Sequence, residues 1–376
     1  MKKVLVFVLL VAVFGLSACG GNEAQPLAGG AAVAAEQGAA APAAEQGNEG
    51  DAPTSPSGVL YVFNWGDFID LGVLRIFEAE YGVEVRYATY GSNEEMYTRF
   101  VQGGGQFDIL VPSDYMIERL IYEERLAPIN WDALPNAGYI DPRFMYLEFD
   151  PQNTYSVPYM WGTFGILYNT TMVDQVVDSW EILWDEQFRG EIFMYDIARD
   201  TFGVAQKKLG FSLNSTDMDE LMQARDLLLE QRPLVRAFLQ DEIKDSLINR
   251  EGALGTVFSG CAIWSISQNP ELNYVVPREG TQLFFDSMVI PANAPNPEAA
   301  HAFINFMLRP DIALMNTLYV GFSTTNAGAF ALLPEEKQNC PIYWPSAEVL
   351  ARSEVFTDLG PFRDYMERAW IEVLRG

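Results

Sequence analysis

Apolar positions in the first half of the chain fall into two alternating rhythms. Residues 59–64 form a short apolar run, as a buried strand does, and Leu71–Tyr81 spaces its apolar residues three and four apart, as a helix does. Residues 83–87 read as a second strand. Ser92-Asn93-Glu94-Glu95 has a capping-box arrangement, so a helix starts there and runs to near Gln102, where Gly103-Gly104-Gly105 breaks it. Residues 108–112 read as a third strand. Further along, residues 165–169 and Ile192–Tyr195 are strand-like, Ala198–Leu209 and residues 219–231 helical, and residues 252–258 a buried strand running into a helix. Residues 285–291 read as a strand, and residues 297–308 and 311–318 as helices. Strand–helix–strand alternation predicts an α/β fold with a mostly parallel sheet.

The N-terminus has a different pattern. Lys2-Lys3 precedes an apolar run from Val4 to Leu16, the form of an export signal and too short to remain as a membrane span. It ends Leu16-Ser17-Ala18-Cys19-Gly20, which resembles the bacterial lipobox; residues 1–18 are therefore expected to be a signal peptide and Cys19 to carry lipid. Residues 20–58 are mostly Ala, Gly, Gln, Glu and Pro, with too little apolar surface to offset the entropy of ordering. Residues 19–58 are thus expected to form a flexible tether with a reach of roughly 35 Å. The roughly 318 residues beyond exceed what one core usually holds, so two lobes are expected.

The 376-residue chain has a formal net charge of −27. The part beyond the tether keeps 46 acids against 22 bases. Nucleic acid is therefore excluded as a partner, because binding phosphates requires basic patches. Excess acid instead draws cations toward clefts. Cys261 and Cys340 alone make no disulfide framework and are not expected to pair. The single histidine, His301, lies in a helical pattern, which leaves histidine-based metal sites and Ser-His-Asp catalysis without support. No metal or cofactor is expected.

Two strand ends carry the candidate chemistry. Tyr61-Val62-Phe63-Asn64-Trp65-Gly66-Asp67-Phe68 and Phe107-Asp108-Ile109-Leu110-Val111-Pro112-Ser113-Asp114-Tyr115 each end an apolar run with a carboxylate beside aromatic rings. Ligands of open α/β sheets collect at the carboxyl ends of strands. An acid there offers a counter-ion and a ring offers apolar contact and cation–π attraction, so an organic cation is the expected ligand. Asp286 adds a third acid inside the apolar run Phe285-Asp286-Ser287-Met288-Val289-Ile290, where an unpaired charge is costly.

From about Leu60 to the C-terminus the chain resembles the substrate-binding proteins of bacterial polyamine ABC transporters, the spermidine/putrescine-binding family. The similarity runs through Tyr61–Phe68, Tyr87-Ala88-Thr89-Tyr90-Gly91-Ser92-Asn93-Glu94, Phe107–Tyr115, and Tyr155-Ser156-Val157-Pro158-Tyr159-Met160-Trp161-Gly162. It continues in Lys208-Leu209-Gly210, Asp286-Ser287, Ile290-Pro291-Ala292-Asn293-Ala294 and Asn305-Phe306-Met307-Leu308-Arg309-Pro310-Asp311. The resemblance implies the two-lobed periplasmic-binding-protein fold, α/β with mostly parallel sheets and a ligand cleft between lobes. Lobe 1 would be residues 58–162 plus 286–330 and lobe 2 residues 165–281 plus 334–376. It implies a non-enzymatic, monomeric, extracytoplasmic receptor, anchored to the membrane by lipid, which hands a polyamine to permease subunits.

By the same resemblance an aromatic box maps onto Trp65, Phe68, Tyr115, Phe258, Phe284 and Phe322, acidic contacts onto Asp67, Asp200 and Asp286, and a further contact onto Ser113. Asp114 and Asp196 are nearby acids. Several box positions hold Phe where the family commonly has Trp or Tyr, which leaves Trp65 as the one expected indole. An acid of the family pattern is Ile197 here and a Gln-type contact falls near Phe356. Each ring has an alternative role in a lobe core, and Asp200 could serve only to complement a helix dipole. A sugar-binding protein of the same architecture and a secreted glycosidase using Asp67 and Asp286 are the competing functional readings.

Overall fold

The computed structural model describes residues 58–102 and 106–376; the expected signal peptide, lipidated Cys19, tether and triple glycine lie outside them. Among the described residues eleven strands run in chain order: β1 Val59–Trp65, β2 Glu84–Tyr90, β3 Ile109–Leu110, β4 Ser156–Asn169, β5 Ile192–Tyr195, β6 Val235–Leu239, β7 Leu254–Phe258, β8 Leu272–Val275, β9 Gln282–Val289, β10 Ser323–Thr324 and β11 Glu354–Val355. The main path through the sheet is β2-β1-β3-β9-β4-β7-β5-β6. Pairing is parallel where strands are linked by helices (β1 with β2 and β3, β5 with β6 and β7) and antiparallel along β4 and on the β3–β9 contact.

β4 changes partners along its length. Ser156 to Thr163 pair with β9, and Phe164 to Tyr168 pair with β7, while β8 covers its far edge. At the change of partners Gly162 is required: a Cβ there would lie 2.5 Å from Ser259 Oγ and 2.9 Å from the Phe284 ring. Pro158, which has no N–H to give the ladder, coincides with the register shift between β4 and β9. Two main cores flank this strand. One gathers Leu60, Val73, Phe77, Phe303 and Phe306; the other gathers Phe164, Trp180, Ile192, Met194 and Leu254.

The helices follow the expected boundaries closely where caps define them. α1 (Leu71–Tyr81) starts where Asp70 accepts a hydrogen bond from the Gly72 N–H, and ends at Gly82 in the left-handed conformation that glycine adopts without strain. α2 (Asn93–Gln102) opens with the Glu95 N–H bonded to Ser92 Oγ, while the Glu95 carboxylate reaches back to the Gly91 N–H. α3 is Asp114–Tyr122, α4 Ala198–Leu209, α5 Met218–Gln231, α6 Glu242–Ile248 and α7 Ser259–Gln268. α8 (Pro297–Met307) and α9 (Pro310–Val320) each begin on a proline that needs no N–H partner. His301 is a packing residue of α8, with its Nε2 accepting from the Asn130 N–H at 2.9 Å. Cys261 is free. No helix of the described residues is long and apolar enough to cross a membrane.

Candidate functional site

One cavity of about 740 Å³ opens where strand ends from both halves meet. The last residues of β1, β2, β5 and β7 (Trp65, Tyr90, Tyr195 and Phe258) line it, and the residues just after β3 and β6 do so through Ser113 and Gln240. This is the carboxyl-end placement that open parallel sheets dictate. It brings helix N-termini to the same space, and these would favour anions if left bare. Acids reverse that sign: Glu94 on α2, Asp200 on α4, and Asp241 and Glu242 at the start of α6 all face the cavity.

Rings form a continuous wall. Phe258 meets Phe284 edge-to-face at 5.2 Å, Phe284 meets Phe322 at 5.6 Å, and Phe322 meets Phe68 at 5.1 Å. Phe258 packs against both main cores, so a ring of the wall also joins the halves. The Trp65 indole is fixed by its N–H donating to the Val111 carbonyl at 2.8 Å and by contact with Tyr90. Tyr115 donates to Glu94 at 2.9 Å and packs edge-on against Phe356.

Asp286 lies in β9 among these rings. The Ser113 hydroxyl donates to its Oδ1 at 2.6 Å, a pairing fixed by the antiparallel bridge between Ser113 and Asp286. Among the described residues no salt bridge reaches it. Burial pushes its pKa well above the ordinary carboxylate range, against the Ser113 hydrogen bond, and the neighbouring Asp114 adds to the rise. Asp200 is raised to about 7, first by burial and then by Glu94, with Gln282 and Arg199 pulling the other way.

Of the residues anticipated from sequence, Trp65, Asp67, Phe68, Ser113, Tyr115, Asp200, Phe258, Phe284, Asp286 and Phe322 all line the cavity, as do Ile197 and Phe356. Asp114 does not. Its oxygens accept from the backbone N–H groups of Tyr115 at 2.8 Å and Phe285 at 3.0 Å, so it braces α3 against β9 behind the wall. Asp196 is exposed and off the wall. Beyond the mapped box, Trp264 of α7 adds a second indole to the lining. Sequence reasoning missed Glu94, Arg199, Asp241 and Lys244. Arg199 is buried, donates to Asn214 and the Thr357 carbonyl, and stacks 4.3 Å above Phe356. The signal available for the missed acids was their position in first helical turns directly after strands.

Residues 73–343 match the model of a family described as bacterial extracellular solute-binding protein. The chain belongs to that family. This solute-binding protein is 36% identical to the spermidine/putrescine-binding periplasmic protein of Salmonella typhimurium over 311 residues, spanning 82% of this chain and 89% of that one. It is 30% identical to a putrescine-binding periplasmic protein of Escherichia coli, spanning 84% and 91%. Among solved structures it is similar to a putative spermidine/putrescine ABC transporter protein of Listeria monocytogenes, with a TM-score of 0.82 and 43% identity over 84% of this chain and 98% of that one. A Treponema pallidum lipoprotein also matches, with a TM-score of 0.76 and 27% identity over 84% and 99%. Membership makes the chain an extracytoplasmic solute receptor of the periplasmic-binding type, and the glycosidase reading falls with it.

Proposed function

We propose that this solute-binding protein captures polyamines of the spermidine/putrescine type and delivers them to the permease of an ABC transporter. The observation that carries the reading is Asp286: a buried carboxylate to which, among the described residues, no cation is bonded, set in a wall of Phe rings. An alkylammonium supplies the missing charge, and its methylenes cover the rings. The relatives named for spermidine and putrescine support the same substrate class.

Within this reading the eleven anticipated residues divide by role. Asp200 and Asp286 contact ligand amines, Asp67 offers a further amine site at the mouth that Lys244 reaches in the ligand-free protein, Trp65, Phe68, Tyr115, Phe258, Phe284 and Phe322 line the methylenes, Ser113 holds Asp286, and Asp114 supports from behind. Residues 58–162 with 286–330 and residues 165–281 with 334–376 act as two lobes that close on the ligand. Cys19 carries the lipid that holds the monomer near the permease.

Calorimetric titration with putrescine, spermidine, spermine and a panel of sugars tests the proposal. Binding of at least one polyamine in the nanomolar-to-micromolar range, with no heat from sugars, is expected. A protein that answers to no polyamine by heat or by melting shift refutes it.

A further inference from the structure

Lys244 sits at the cavity mouth in an arrangement that the polyamine reading does not account for. Its Nζ, carried on α6, lies 3.3 Å from Asp67 Oδ2 in the loop after β1. It also lies 5.3 Å from the centre of the Trp264 ring. Asp241, three residues earlier and accepting from the Tyr195 hydroxyl at 3.1 Å, feels the Lys244 charge, which lowers the Asp241 pKa against the rise that burial causes. Burial works against the ammonium, yet Cys261, Asp241 and Asp67 around it outweigh that and hold Lys244 above the ordinary lysine range.

A primary amine on four methylenes, ion-paired to Asp67, within the field of Asp241 and over an indole, has the surroundings that a bound aminobutyl group needs. The side chain of lysine is that same group, tethered to the chain. Arg199, the other cation on the wall, is placed differently: its guanidinium is tied to Asn214 and Thr357 and stacked on Phe356, away from this acid pair.

We propose that Lys244 fills an amine subsite formed by Asp67, Asp241 and Trp264, as a built-in substitute for a ligand ammonium, and thereby biases the cleft toward diamines over triamines and tetraamines. The inference rests on the polyamine reading above. With Glu94 accepting from the Tyr115 hydroxyl and Glu242 from the Gln240 N–H, Asp286 and Asp200 remain to receive two ligand amines. A third amine has to displace Lys244 from its acids or lie beside a like charge, and either route weakens longer ligands selectively.

Calorimetry on the full mature chain, with 1,4-diaminobutane, spermidine and spermine, compares the wild type with Lys244→Met and Lys244→Arg. The wild type is expected to bind the diamine more tightly than spermidine. Lys244→Met, which keeps the apolar stem and removes the ammonium, is expected to shift the spermidine-to-diamine affinity ratio at least tenfold toward spermidine, about 1.4 kcal/mol. Lys244→Arg restores the charge and is expected to keep the wild-type ranking. Because the ratio is read within each variant, a uniform loss from misfolding leaves it unchanged and counts against the proposal. An unchanged ratio in Lys244→Met, a wild type that already prefers spermidine, or an Arg variant that behaves like Met overturns the role of Lys244 while leaving polyamine binding intact. Absence of polyamine binding to every variant instead overturns the polyamine reading and this inference with it.

Discussion

Replacing Asp286 by Asn should separate binding from stability in one residue. The change keeps the side chain's shape, and Oδ1 still accepts the Ser113 hydroxyl that lies 2.6 Å away. What it removes is the ability to become charged. An ammonium about 4 Å from a carboxylate gains roughly 4 kcal/mol at an effective dielectric of 20. Part of that is offset, because burial has pushed the Asp286 pKa up and binding has to expel the proton, at about 1.4 kcal/mol for each pKa unit above the working pH. The Asn variant should therefore bind at least tenfold more weakly, about 1.4 kcal/mol, because the Coulomb term sets the ceiling and proton release lowers it.

The stability effect runs the other way. The ligand-free fold gains nothing from a carboxylate whose charged form burial disfavours, so the Asn variant should melt at the wild-type temperature or slightly above it. Titration in two buffers of different ionisation enthalpy supplies a third readout. The wild type should release protons on binding near pH 7, and the variant should release fewer. Polyamine binding within about threefold of wild type, or a fall in Tm of more than about 5 °C, would show the carboxylate to be a structural brace and refute the argument.

Two further outcomes follow from the site. Asp114 and Asp200 are both raised to about 7, chiefly by burial, so between about pH 4 and pH 7 the folded protein holds more protons than the unfolded chain. Stability contributed by their neutral forms is complete at the low end and lost as pH rises through 7; Glu123, Asp141, Asp311 and Glu354, with lowered pKa values, oppose this only at more acidic pH. The ligand-free Tm should therefore be higher at pH 5 than at pH 7.5, and a flat or rising Tm across that interval contradicts the assignment. A Cβ at Gly260 would meet the Phe322 ring, so Gly260→Ala should push Phe322 off the wall it shares with Phe284 and Phe68. The expected cost is about 1–3 kcal/mol in stability with weaker polyamine binding, and unchanged affinity by calorimetry would show that Phe322 does not touch the ligand.

How far the fold was legible depended on which faces each element buries. α1, β5 and α4 have the boundaries that periodicity and caps predict, Leu71–Tyr81, Ile192–Tyr195 and Ala198–Leu209. The first half of β4, Ser156 to Phe164, is not predicted: the strand is buried without alternation as far as Leu167, so nothing in the apolar pattern marks where it begins. β3 shrank to Ile109–Leu110 because the Val111 carbonyl accepts from the Trp65 indole and the Tyr90 hydroxyl, which takes it out of the ladder. The C-terminal helix Arg363–Arg375 went unread, although it buries Met366, Ala369, Trp370 and Val373.

The acids show where sequence runs out and why. At a strand end followed by a helix, a carboxylate has two possible uses: it can satisfy backbone N–H groups, or it can wait for a cation. Asp114 and Asp286 look alike as acids beside apolar runs, and both are buried with raised pKa values. Their bonding separates them. Asp114 accepts two backbone N–H bonds and turns from the cavity, whereas Asp286 accepts one hydroxyl and faces it. The same test divides the mouth, where Asp67 already has an ammonium, that of Lys244, and Asp241 accepts from the Tyr195 hydroxyl under the field of the same lysine. A cavity built on helix N-termini needs acids to hold a cation at all, so their presence alone is uninformative. Which of them remain unsatisfied decides how many amines the ligand brings, and that number is set by partners distant in sequence, 173 residues apart for Ser113 and Asp286 and 177 for Asp67 and Lys244.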